Sequence, residues 1–175
     1  HAILKAQTQK KSVQPGQLEV VIVGAGATGV ELAAELHKAT REMAAYGIDR
    51  INPDRDIKIS IIEASPRLLP ALPKKLSHSV ELELRKLHVH LFMGERVTEV
   101  STKGIKTHTK RFIPSSLVVW AAGVKGEPAG AQLNLPLVNT RIDVENTLQV
   151  KNYPHIFAIG DIAGFIGDNG RMLPM

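Results

Sequence analysis

Cysteine is absent from all 175 residues. The chain therefore has no disulfide framework and no CxxC redox pair, and any thiol chemistry would have to come from elsewhere. Long apolar runs are missing too. No uncharged stretch reaches the roughly 20 residues that cross a bilayer, and the apolar one from Val20 to Val30 is also glycine-rich. The opening HAILKAQTQKKS has no long apolar core of the kind a signal peptide carries. Because it starts at His1 rather than at a methionine, the sequence reads as a piece of a longer chain. Aromatics do not interleave with the basic residues, and no nucleic-acid motif is present. The net charge of +5 is scattered over Lys10-Lys11, Lys74-Lys75 and Lys103, Lys106, Lys110 and Arg111. That scatter suits a solvated surface, with attraction to anionic lipid or to a phosphate-bearing ligand as the alternative. At 43% hydrophobic and 22% charged, the composition is that of ordinary globular material, and the length allows one domain or one domain plus part of another.

What is present is organised around Leu18 to Leu36, LEVVIVGAGATGVELAAEL. The run Val20 to Val23 predicts a buried strand. Gly24, Gly26 and Gly29 follow at G-x-G-x-x-G spacing. Val30, Ala33, Ala34 and Leu36 then recur at helical steps. Gly24 lets the chain turn out of the strand, Gly26 clears a side chain from backbone N–H groups that face a pyrophosphate, and Gly29 lets helix and strand pack closely. Ala27 and Thr28 lie between them, at the helix start whose dipole and free N–H groups favour phosphate. The spacing alone is weak evidence of a dinucleotide site; the strand before it and the helix after it make it specific.

Residues 1–16 read as a connecting helix or linker ending in Pro15-Gly16. The first helix should reach about Tyr46 with Gly47 as its C-terminal cap, and IDRINPDRD should be an irregular insertion in which Pro53 breaks any helix. A second strand, Ile57 to Ile62, ends at Glu63. A carboxylate there accepts hydrogen bonds from the adenosine ribose diol and repels a 2′-phosphate, so NADH is expected over NADPH. Arg67 could weaken that preference by offering a cation. After the loop LLPALP, a helix over Lys74 to Leu87 should bury Leu76, Val80, Leu84 and Leu87, with His88 standing where a glycine would end it. Val89 to Phe92 is a third strand. His88 and His90 alternate like metal ligands but have no carboxylate or cysteine partner in the pattern. Arg96 to Ile113 reads as a small antiparallel meander turning at Gly104, and Leu117 to Trp120 as a buried strand ending in Ala121-Ala122-Gly123, small residues that admit a flat ligand. Residues 126–141 look loop-like. Arg141 to Val144 and Leu148 to Val150 read as strands around an Asn-Thr turn, and Ile156 to Ile159 as a strand before Gly160-Asp161.

GAGATGVELAAEL, EASPRLLPALP, VVWAAGV and TLQV…PHIFAIGDIA, in that order, resemble the two-dinucleotide-domain flavoproteins, and among them type II NADH dehydrogenases, the single-subunit NADH:quinone oxidoreductases. The resemblance runs from about residue 17 to 163. It implies a Rossmann-like α/β fold, a mainly parallel sheet with flanking helices and an antiparallel meander over residues 17–125, and a return segment of the FAD domain over 126–175. It also implies that Gly24, Gly26 and Gly29 serve NADH and that Glu63 holds the adenosine ribose. Glu31 would lie near the nicotinamide, as a positioning group rather than an acid or base; otherwise it only stabilises the first helical turn. Ala122 and Gly123 would flank the nicotinamide, and Gly160 and Asp161 would touch FAD.

Family members carry an earlier glycine motif for FAD, which the 23 residues before Gly24 do not contain, and they continue well past the aspartate. The chain therefore looks like an excised NADH-binding domain with a remnant of the FAD domain, expected to bind NADH weakly and not to turn over. In the intact protein the resemblance implies FAD, a quinone, possible homodimerisation and peripheral attachment to the cytoplasmic face of the membrane. A ferredoxin or disulfide reductase, and a non-catalytic NADH-sensing module, are the rival readings.

Overall fold

Four strands with apolar runs on both faces make the central sheet. They are β1 (Glu19–Val23), β2 (Lys58–Glu63), β3 (His90–Met93) and a strand over Leu117–Trp120, labelled β7 in chain order. All neighbours are parallel, in the order β3-β2-β1-β7. The computed structural model describes residues 2–9, 12–46, 50–123, 132–168, 170, 172 and 173, which fall into two compact units, His1–Ala122 and Gly123–Met175.

The apolar runs are continuous because each face of the sheet is covered. Ile22 on β1 and Ile59 and Ile61 on β2 face α2 (Ala27–Ala45) and α4 (Lys74–Lys86), where they pack with Ala33, Leu68, Leu84 and Val89. Val21, Val23 and Ile62 face the opposite way and pack with Ile105 and Ile113 of an antiparallel meander, β4 (Val97–Ser101), β5 (Gly104–Thr107) and β6 (Phe112–Pro114). The α/β class is the expected one, and the structure puts the helices on one face and the meander on the other. A short helix, α1 (Ala2–Thr8), adds Ala6 to a small cluster with Leu18 and Ile51.

Several local expectations are corrected. Pro53 starts a helical turn rather than breaking one: α3 (Pro53–Asp56) has proline at its first position, where no amide hydrogen is needed, and the Asn52 side chain accepts from the N–H groups of Asp54 and Arg55. On α4, Leu76 is exposed and Ser77 is buried in its place. The Ser77 hydroxyl donates to the Leu68 carbonyl, so the buried position serves a loop oxygen that a leucine would leave unpaired. The end of α4 follows the expectation for His88, which adopts φ 57°. The Val89 N–H donates to the Leu84 carbonyl and the His88 N–H to the Arg85 carbonyl, closing a Schellman motif. The Gly47 cap lies outside the described residues.

In the second unit, β8 (Leu137–Val138) occupies part of the expected loop and pairs with β9 (Arg141–Asp143). The Asn146-Thr147 turn forms, closed by the Leu148 N–H on the Glu145 carbonyl. It leads into β10 (Gln149–Val150), which pairs with β11 (Tyr153–Phe157). The strand expected at 156–159 thus lies earlier, because β11 begins at Tyr153, directly after the turn at Asn152 (φ 65°). Gly160–Ile162 form a single 3-10 turn, followed by β12 (Ala163–Ile166) and β13 (Met172–Leu173).

Candidate functional site

Strand β1 is the point at which the sheet changes direction: the chain steps outward through β2 to β3 on one side and returns on the other as β7. At such a point the loops leaving the carboxyl ends of neighbouring strands part, and a crevice opens between them. Here a cavity of about 290 Å³ is bounded by Val23 and Gly24 at the end of β1, Ile62, Glu63 and Ala64 at the end of β2, Glu95 to Val97 beyond β3, and Trp120 and Ala122 at the end of β7.

The three motif glycines have different neighbours. Gly24 holds φ +109°, and a Cβ there would lie 2.7 Å from the Ala122 nitrogen, so both conformation and space exclude a side chain. A Cβ on Gly29 would overlap the Gly24 carbonyl oxygen, which is the close approach of α2 to the turn. Gly26 is unlike both. Its φ lies outside the left-handed range, and a Cβ built on it meets nothing within 4 Å. The protein's own packing does not require glycine there. The space is open in front of the first turn of α2, where helical geometry leaves N–H groups without carbonyl partners and where no acidic side chain stands. Ala27 and Thr28 are the first two residues of that helix.

Glu63 is fastened to this turn. Its Oε2 accepts the Ala25 N–H at 2.8 Å, and its Oε1 accepts the Ser65 N–H at 2.7 Å. Burial pushes the carboxyl up, but the N–H groups of Ala25, Ser65 and Ala64 and the Ser65 hydroxyl outweigh it and hold the group below the ordinary glutamate range. A carboxylate bonded this way keeps lone pairs on both oxygens for further donors. The loop after β2 braces the turn from behind, through the Leu69 N–H on the Ala25 carbonyl at 2.8 Å.

The other expected residues are distributed as follows. Arg67 turns into its own loop, donating to the carbonyls of Leu69, Pro70 and Leu72 at 3.1, 2.6 and 2.9 Å. Glu31 is exposed, four residues after the helix start and so beyond the first turn. Ala122 lines the crevice, and Gly123 follows with φ +67°. In the second unit Gly160 has φ +70°, and the exposed Asp161 carboxylate lies 3.9 Å from Arg141 Nη2. The motif pattern did not reach Glu95, Arg96 or Val97. Their signal was position: all three directly follow Gly94 at the carboxyl end of a parallel strand.

A parallel sheet, a glycine turn and an acid at the end of the second strand define a Rossmann-type α/β fold. The chain belongs to the pyridine nucleotide-disulphide oxidoreductase family, which matches residues 2–174. It is 36% identical over 168 residues to the type II NADH:quinone oxidoreductase of Haemophilus influenzae, covering 95% of this chain and 38% of that protein. It is 33% identical over 156 residues to a type II NADH:quinone oxidoreductase of Mycobacterium tuberculosis, covering 83% of this chain and 33% of that one. The chain thus spans about a third of the length of these relatives. Among solved structures, NDH2 from Plasmodium falciparum in complex with NADH shares the fold at a TM-score of 0.79 and 24% identity, over 94% of this chain and 36% of that one. A ferredoxin reductase from Rhodopseudomonas palustris superposes at a TM-score of 0.69 and 24% identity, over 90% and 36%.

Proposed function

We propose that this chain is the NADH-binding part of a flavoprotein oxidoreductase that passes hydride from NADH to FAD and electrons on to a quinone. The observation that carries the reading is the Glu63 carboxylate hydrogen-bonded to the Ala25 N–H, because it sets a diol acceptor beside an open helix start. The unobstructed space at Gly26 fits a pyrophosphate, and the names of the relatives support the choice of nucleotide and acceptor.

In this reading the N–H groups around Gly26, Ala27 and Thr28 bind the pyrophosphate, while Gly24 and Gly29 shape the turn. Glu63 orients the adenosine ribose and disfavours a 2′-phosphate, so NADH is preferred over NADPH. Ala122 and Gly123 leave a flat wall for the nicotinamide, and Glu31 helps position it. Gly160 and Asp161 serve FAD, with the carboxylate accepting from a hydroxyl of the ribityl chain. NADH and FAD supply the redox chemistry when bound; the chain orients them, and hydride transfer needs no acid or base from it. In this reading the intact protein meets its quinone as a homodimeric peripheral enzyme on the cytoplasmic face of a respiratory membrane. No helix among the described residues is long and apolar enough to cross a membrane.

Trp120 reports on the site. It is the only tryptophan, it lines the crevice, and it is 59% exposed. Titration of the purified chain with NADH should quench its fluorescence saturably, and NADPH should do so more weakly. The chain should purify without stoichiometric flavin. A chain that binds neither nucleotide would overturn the reading.

A further inference from the structure

The crevice is lined by a cation whose charge no carboxylate or carbonyl engages among the described residues. Arg96 lies just past β3 and lines the cavity with Glu63. Its backbone is tied in place: the Arg96 N–H donates to His108 Nδ1 at 3.2 Å, and the His108 N–H donates to the Arg96 carbonyl at 2.8 Å. The preceding residue is tied to Glu63 itself, through the Glu95 N–H on the Glu63 carbonyl at 2.9 Å. Two residues on adjoining strand ends, one anionic and one cationic, thus border the same opening.

The adjoining acid in the chain, Glu95, is engaged elsewhere. The Glu95 carboxylate accepts from the Thr109 hydroxyl at 2.8 Å and faces Arg111 Nε at 3.5 Å. Arg111 in turn lies over the Phe92 ring. Among the described residues the Arg96 guanidinium has no carboxylate or carbonyl partner, and its side chain is exposed. Arg67, the cation that chain order suggested, is bonded to three carbonyls instead.

We propose that Arg96 is a specificity-determining residue at the adenosine end of the site. It attracts the phosphate of a 2′-phosphorylated nucleotide and so sets how far Glu63 can exclude NADPH. The proposal rests on the dinucleotide reading above. Glu63 supplies repulsion at the 2′ position, Arg96 supplies attraction from the neighbouring strand end, and the nucleotide preference is the difference between them. A guanidinium pairs with phosphate bidentately, whereas an unphosphorylated ribose gives it no anion to hold.

The test is a titration of the chain and its R96Q and R67Q variants with NADH and NADPH, followed by Trp120 fluorescence at low and moderate salt. R96Q should weaken NADPH binding about tenfold and leave NADH within about twofold. The salt dependence of NADPH binding should also shrink in that variant. R67Q should leave the ratio of the two affinities unchanged. Equal losses for both nucleotides in R96Q, which leave their ratio unchanged, would overturn the proposal in favour of stacking on adenine, and unchanged affinities for both would overturn it outright. If the parent chain binds neither nucleotide, the dinucleotide reading fails and this proposal falls with it. Binding of NADH with an unaltered ratio in R96Q sinks the proposal alone.

Discussion

Two alanine substitutions three residues apart should separate folding from binding. At Gly29 the new Cβ overlaps the Gly24 carbonyl oxygen and lies 3.1 Å from the Gly24 carbonyl carbon. These neighbours are backbone and cannot swing aside as a side chain would. Overpacking typically costs about 1–3 kcal/mol, and a backbone obstacle puts G29A at about the upper end. For a unit of this size that lowers the Tm by about 10 °C. At Gly26 the Cβ meets nothing within 4 Å and the φ is ordinary. Alanine there loses some helix-capping preference, about 0.5–1 kcal/mol, and gains about 0.4–1 kcal/mol from a less flexible unfolded chain. The two nearly cancel, so the Tm of G26A should stay within about 3 °C of the parent. Binding should respond differently. A methyl at Gly26 holds a pyrophosphate away from the helix start and removes about two charge-assisted hydrogen bonds, which weakens NADH about a hundredfold. Thermal melting and the Trp120 titration, run on both variants, decide the matter. A G26A chain that melts normally and binds NADH as tightly as the parent would refute the assignment of the phosphates to this turn.

Other expectations follow from the same geometry. E63Q should weaken NADH and narrow the gap to NADPH, measured by the same titration. It should also change the acid limb of stability. The folded carboxyl lies below the ordinary value of 4.5, so its ionised form stabilises the fold above that value, and the contribution disappears as pH falls through the lowered one. Denaturant melts between neutral pH and pH 3 should therefore show a shallower loss in E63Q than in the parent; identical slopes would contradict the hydrogen-bonding account. H88G should raise stability by about 0.5–1 kcal/mol, since φ 57° burdens histidine and not glycine at a Schellman position, and urea melts would register it.

The strand–turn–helix over β1 and α2 was legible in the chain because its signal is local: an apolar run, glycines at fixed spacing, then a helical period. The meander, the His88 helix end and the position of Glu63 at a strand end were readable for the same reason. Leu76 and Ser77 were not, because each fits the apolar stripe about equally by period, and the choice depends on a loop carbonyl at Leu68 that needs a donor. Pro53 was ambiguous because the same ring that disrupts a helix interior suits its first position, and only the Asn52 cap distinguishes the two.

The sequence by itself determined which short segments could become strands, turns and helices, since backbone sterics and hydrophobic period act within a few residues. Only the tertiary structure decided which distant groups meet. Glu63 reaches the Ala25 N–H across 38 positions because β1 and β2 are adjacent in the sheet. Arg67 is nearer to Glu63 in the chain than Arg96 is, yet its guanidinium is bonded to loop carbonyls, while the backbone beside Arg96 is bonded to Glu63. Strand pairing brings together residues that chain order keeps apart, and hydrogen bonding within the fold settles which charges remain available to a ligand.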